Sequence, residues 1–143
     1  VLCIDHGIRH GFVNLAGDVR VIGPQSDGTP WRIGIQHPRD ANAVVGTVEL
    51  TQGSVATSGD YERFFENGGR RYCHLLDART GKPVAHWQSA SVVAPLATLA
   101  GSYATIAMLV GADAERFLAQ QGVDSLLIAA DGARVCHGPS FRS

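Results

Sequence analysis

Apolar and polar residues alternate over most of this chain, and the spacing switches to three or four only at its start and near positions 96–121. Val1, Ile4 and Ile8 stand at helical spacing with Gly7 as a stop signal, so a short helix is expected first. Gly11 to Leu15 and Val19 to Ile22 read as strands joined by the small trio Ala16-Gly17-Asp18. After the turn Ser26 to Pro30, Trp31, Ile33 and Ile35 alternate with Arg32, Gly34 and Gln36 in a half-buried strand. Val44, Gly46, Val48 and Leu50 fall on one face of the next, Ser54 to Thr57 makes a short strand, and Ser58-Gly59-Asp60 breaks the pattern. Tyr61 to Glu66 and Arg70 to Leu76 flank Asn67-Gly68-Gly69, a hairpin signal because Asn and Gly tolerate the positive φ of tight turns. Gln88 to Ala94 is a strand stopped by Pro95. Leu96 to Val110 is the longest helix, and Leu96, Leu99, Tyr103, Ile106 and Val110 form the face expected to pack on a sheet. Ala97, Gly101, Thr105 and Met108 lie on a different stripe. Asp113 to Gln121 is a second helix ended by Gly122, and Val123 to Ala130 turns through Asp131-Gly132 into Arg134-Val135-Cys136. The fold class is α+β: one domain over residues 1–143, with a mostly antiparallel sheet and a few packed helices.

Composition narrows the function classes. The 143 residues are 45% hydrophobic and 17% charged, which supports a buried core and excludes disorder. The net charge is −1 with no block of like charges, which argues against nucleic acid or an anionic membrane as partner. Cys3, Cys73 and Cys136 are widely spaced and form no C-x-x-C, so they read as reduced small hydrophobes rather than a disulfide framework or zinc site. No apolar run approaches the roughly 20 residues of a membrane span, and no secretory leader pattern opens the chain.

Four clusters combine small and polar residues: Asn14 to Asp18, Ala56 to Asp60, His74 to Gly81, and Gly101 to Thr105. Thr57-Ser58-Gly59 reads either as an ordinary turn or as a cradle whose backbone N–H groups and hydroxyls hold a pyrophosphate. His74 stands at a strand end with Asp77 three residues on, where a bend would let the carboxylate orient the imidazole as a general base. The alternative is a satisfied structural histidine. Thr105 either places its hydroxyl beside a metal or phosphate or bonds its own helix backbone. No P-loop, nucleophile elbow or G-x-G-x-x-G fingerprint occurs.

Taken in order, Val13-Asn14-Leu15-Ala16-Gly17-Asp18-Val19-Arg20, Asp27 to Ile35, Ala56-Thr57-Ser58-Gly59-Asp60-Tyr61 and Tyr72 to Gly81 resemble the ApbE family of FAD:protein FMN transferases, once called thiamine-biosynthesis lipoproteins. The resemblance covers essentially the whole chain but only the C-terminal part of the family domain. It implies an ApbE-like (T-fold-like) fold lacking its N-terminal half. It further implies magnesium-dependent cleavage of FAD and transfer of FMN to a Thr or Ser hydroxyl of an acceptor flavoprotein, typically in an exported, periplasmic, membrane-anchored enzyme. By the same resemblance His74 is the catalytic histidine, with Asp77 and Gly81 in its motif. Thr57, Ser58 and Gly59 match the flavin-nucleotide cleft, and Asn14, Gly17 and Asp18 match the Gly-Gly-Asp turn.

Two positions depart from the family pattern. The first glycine of that turn is Ala16. The helix that carries a metal-binding Asp four residues before a Thr has Thr105 but Gly101 in the Asp position. Losing that carboxylate removes a hard anionic ligand for Mg²⁺. The exchange reads as loss of the metal-dependent reaction in a non-catalytic FAD-binding relative, or as an altered residue of this one chain. A fragment that binds nothing is a third reading. A domain cut through its cleft exposes strand edges and apolar surface, which suits homodimerisation or a separately retained N-terminal piece.

Overall fold

The computed structural model describes residues 2–142, so Val1 lies outside them and the opening helix α1 is Leu2–Asp5. Six antiparallel strands form the main sheet in the order β1 (Gly11–Leu15), β2 (Asp18–Gly23), β5 (Gly53–Gly59), β8 (Trp87–Ala94), β9 (Asp124–Ala129) and β10 (Arg134–His137). A second sheet joins β3 (Trp31–His37) and β4 (Asp40–Leu50) to the short β11 (Phe141–Arg142). The strands β6 (Phe64–Asn67) and β7 (Arg70–Cys73) make a hairpin of their own. Helix α2 (Ala97–Val110), a 3₁₀ turn over Gly111–Asp113 and helix α3 (Ala114–Gln121) complete the chain. The expected α+β class with a mostly antiparallel sheet is what the structure has.

Strand alternation divides the molecule into two cores. Val19 and Val21 of β2, Val55 of β5, and Leu126 and Ile128 of β9 point to the β3–β4–β11 sheet and meet Ile35, Val48, Leu50 and Phe141. Ala56, Ala90, Val92, Ala94 and Leu127 point the other way and meet α2 and α3. This second face is lined largely by alanine, and the helix face on it is small apart from one methionine: Ala100, Ala104, Ala107 and Met108 are fully buried. The expected packing face of α2 is therefore wrong. Leu96, Leu99 and Val110 are 53%, 37% and 38% exposed, while Tyr103 of the expected face packs against the margin of this core; the alanine surface is met by three alanines and Met108 instead.

Two local features also differ from the pattern reading. The β3–β4 register shifts so that Ile35 pairs with Gly46 but Gln36 with Val44. The bulge leaves Val45 buried and Val44 exposed, so the expected face holds for Gly46, Val48 and Leu50 but not for Val44. Thr57-Ser58-Gly59 is not a turn but the end of β5, paired with Ser91, Ala90 and Ser89 of β8. All three cysteines are free, with Cys73 buried but Cys136 exposed. No helix among the described residues is long and apolar enough to cross a membrane.

Ala16 and Gly17 form the two-residue turn between β1 and β2, closed by the Leu15–Asp18 pair. Both have positive φ, 51° and 97°, as a primed hairpin turn requires. A Cβ in that region costs energy that glycine does not incur, so Ala16→Gly is expected to stabilise the fold by about 0.5–1 kcal/mol, read from the midpoint of urea unfolding. An unchanged or lower midpoint would show that the turn accepts alanine without strain.

Candidate functional site

The β1–β2 turn, the end of β5 and the middle of α2 bring together residues far apart in sequence. Asn14 Oδ1 accepts a hydrogen bond from the Gly17 backbone N–H at 2.9 Å, fixing the turn from within. Asp18 follows on the strand face that looks toward α2. A Cβ built on Gly101 would stand 3.6 Å from Asp18 Oδ2 and 3.9 Å from Ala56 Cβ. One helical turn on, Thr105 Oγ1 and Ser58 Oγ share a hydrogen bond of 2.8 Å. Asp18, Gly101, Thr105 and Ser58 thus sit at one seam between sheet and helix. A cavity of about 300 Å³ opens there, lined by Val13, Leu15, Asp18, Arg20, Ala97, Thr98 and Gly101. Burial pushes the Asp18 carboxyl above its ordinary range.

Thr57 does not join this seam. Neighbouring strand residues face opposite ways, and its hydroxyl bonds Ser91 Oγ at 2.8 Å on the side of the three-stranded sheet. Gly59 shares that side, where the Tyr61 ring lies against it in the space a Cβ would need. The segment expected as a turn is part of a strand ladder, and of its side chains only Ser58 turns toward α2.

His74 extends the β6–β7 hairpin by one hydrogen bond, from its N–H to the Arg63 carbonyl at 3.1 Å. Its ring Nδ1 lies 3.3 Å from the same carbonyl oxygen. A carbonyl only accepts, so Nδ1 carries the proton in this contact and the neutral ring keeps its lone pair on Nε2. The expected orienting carboxylate is engaged elsewhere. Asp77 accepts from the Arg79 backbone N–H at 2.9 Å and from the Arg79 guanidinium at 3.2 Å, and the Arg79 hydrogen bonds hold its carboxyl below the usual range. Gly81, at φ 65°, donates its N–H to the Asp77 carbonyl at 2.7 Å and closes the loop. Asp77 and Gly81 shape the segment after His74, and the Arg63 carbonyl orients the imidazole.

Two contributors escaped the sequence reading. Arg20 lines the cavity and donates to the Pro95 carbonyl at the start of α2. Its signal was present, since it stands two residues from Asp18 on the same strand face. Arg39 forms a two-pronged ion pair with Asp60 at 2.6 and 2.7 Å, tying the β3–β4 turn to the loop after β5. Nothing in the local sequence pairs these two.

The donor set does not fit magnesium well. Among the described residues no group of three His, Cys, Asp or Glu could hold a metal ion. Gly101 supplies no carboxylate, and the Thr105 hydroxyl, which shares a hydrogen bond with Ser58, is a neutral donor.

The model of the ApbE family matches residues 2–128. An FAD:protein FMN transferase of Rhodobacter capsulatus is 37% identical over 139 residues, covering 96% of this chain and 26% of that protein. The Escherichia coli (strain K12) protein of the same name is 32% identical over 142 residues, covering 96% and 40%. Among solved structures, the ApbE protein of Thermotoga maritima superposes with a TM-score of 0.81 at 38% identity, over 88% of this chain and 42% of that one. The flavin transferase ApbE of Vibrio cholerae gives 0.79 at 29% identity, over 97% and 45%. The chain therefore spans less than half the length of each of these relatives.

Proposed function

The chain belongs to the ApbE family, and from that premise we propose that it contributes part of the site of an FAD:protein FMN transferase. The observation that carries this reading is the His74 ring held by the Arg63 carbonyl, which leaves Nε2 free to accept a proton. In the proposed reaction a Thr or Ser hydroxyl of an acceptor flavoprotein attacks the FMN-side phosphorus of FAD. A new P–O bond forms, the pyrophosphate P–O bond breaks, AMP leaves, and Nε2 of His74 takes the hydroxyl proton. The Asn14–Asp18 turn and the Ser58–Thr105 hydroxyls, at the seam between sheet and helix, are assigned to the nucleotide.

Magnesium, which the resemblance implies, would neutralise charge on the pyrophosphate. Because Gly101 supplies no carboxylate beside Thr105 and no cluster of three ligands occurs among the described residues, no step here is routed through it. That misfit supports a second reading, a family member that binds FAD without turning it over. Calorimetric titration of FAD with and without Mg²⁺ separates the two. Magnesium-dependent binding is expected for the transferase. Stoichiometric binding indifferent to the metal points to the flavin-binding relative, and no FAD binding in either buffer overturns both.

A further inference from the structure

We propose that the Arg39–Asp60 ion pair is a positioning brace for His74, acting through the Arg63 carbonyl; the inference rests on the transferase reading and deepens it. The backbone on either side of His74 is anchored by its neighbours. Cys73 is buried, with its thiol 3.5 and 3.6 Å from the Val84 and Leu75 carbonyl oxygens, and Leu75 packs on the α2 core. The orientation of the imidazole depends instead on the Arg63 carbonyl, which accepts from both the His74 backbone N–H and Nδ1. Arg63 stands on the other limb of the hairpin, at the end of residues 60–63, which belong to no strand. That limb is held at its start by Asp60. Its N–H donates to the Gln88 carbonyl at 3.0 Å, and its carboxylate takes both prongs of the Arg39 guanidinium at 2.6 and 2.7 Å.

The far end of the pair is equally fixed. Arg39 lies in the β3–β4 turn, where its backbone N–H donates to His37 Nδ1 at 3.1 Å and its guanidinium to the Pro38 carbonyl at 3.0 Å. The sheet that carries this turn packs on the main sheet through Ile35 and Val48. The ion pair therefore runs from a fixed sheet to the segment that carries Arg63. Ion pairs near a surface add little to stability, but a two-pronged one fixes direction, which is what an orienting carbonyl three residues away requires. Asp60 also follows Ser58 by two residues, so the same brace ties the imidazole and the Ser58–Thr105 seam to one frame.

The test compares wild type, Arg39→Ala, Asp60→Ala and Arg39→Lys by three readouts: ¹⁵N signals of the His74 ring at alkaline pH, FMN transfer, and FAD titration. Which ring nitrogen carries the proton is set by the hydrogen bond the ring makes, so wild type should show the Nδ1–H form. Either alanine variant should move the ring toward a mixture of tautomers and lower kcat by about tenfold to a hundredfold, the scale of a small misplacement, with FAD affinity held within about twofold. Arg39→Lys keeps the charge but loses the fork and should fall between. The double alanine variant should lose no more than the weaker single one, as two members of one brace do. Wild-type ring signals or wild-type kcat in the alanine variants would overturn the brace, and so would a loss of FAD affinity as large as the loss of rate. A wild type that transfers no FMN would overturn the transferase reading instead, and the two failures are distinguishable because the ring signals report on the brace without turnover.

Discussion

His74→Ala is expected to lower FMN transfer by about 10²–10⁴-fold, the usual contribution of a positioned general base, while leaving FAD binding largely intact. The expectation follows from the ring's surroundings. His74 is exposed and its Nδ1 contact is to a backbone carbonyl, so removing the imidazole opens no cavity in either core. The measurement is transfer of labelled FMN from FAD to the acceptor protein of the Vibrio cholerae relative, run beside an FAD titration. An unchanged rate would remove His74 from the mechanism. Asp77→Ala supplies the contrast: its carboxylate holds Arg79 and the 77–81 loop rather than His74, so its effect on transfer should be much smaller. A loss as large as that of His74→Ala would mean that the two act as a pair once substrate is bound.

The elements were legible wherever one period dominated. The β1–β2 turn, the Asn67–Gly69 hairpin and the two helices near 96–121 follow from turn chemistry and spacing, and the structure differs only in their ends. The face of α2 was not legible, because a helix is read by its largest apolar side chains and the deciding surface here is the alanine row Ala56, Ala90 and Ala94 on strands distant in sequence. The site divides along the same line. Asp18, Ser58 and Thr105 were named from family-like motifs, but that Ser58 and Thr105 share a hydrogen bond depends on the pairing of β5 with the helix seat. Thr57 stands on the opposite face from Ser58 for a local reason, the alternation of a strand where a turn was one reading. The Arg63 carbonyl was invisible because a backbone oxygen has no signature in sequence; only the hairpin register places it against His74.

Gly101→Asp is expected to tighten Mg²⁺ binding by about tenfold or more, since affinity for this ion depends on the count of charged oxygen ligands. Space permits the change: a Cβ there meets only ordinary contacts, and glycine is the poorer helix former. The new carboxylate would adjoin Asp18, whose own carboxyl burial already raises. Two acids so placed resist simultaneous ionisation, so at least one pKa rises further. The sign follows from proton binding: between its unfolded and its raised folded pKa the native state holds the proton more tightly, so stability falls as pH rises through that window. The Gly101→Asp protein should therefore lose thermal stability from acid to neutral pH without magnesium and regain it when the cation screens both carboxylates. Wild type, with Asp18 alone, should show a weaker pH dependence and little response to magnesium. Identical Mg²⁺ titrations for the two proteins would sink the argument, because Gly101 would then not be the missing ligand position. If cation binding rises and transfer rises with it, the lost carboxylate was the only defect in a transferase site. If cation binding rises and wild type and variant alike show no transfer, the chain has diverged at more than one position and the flavin-binding reading is the correct one.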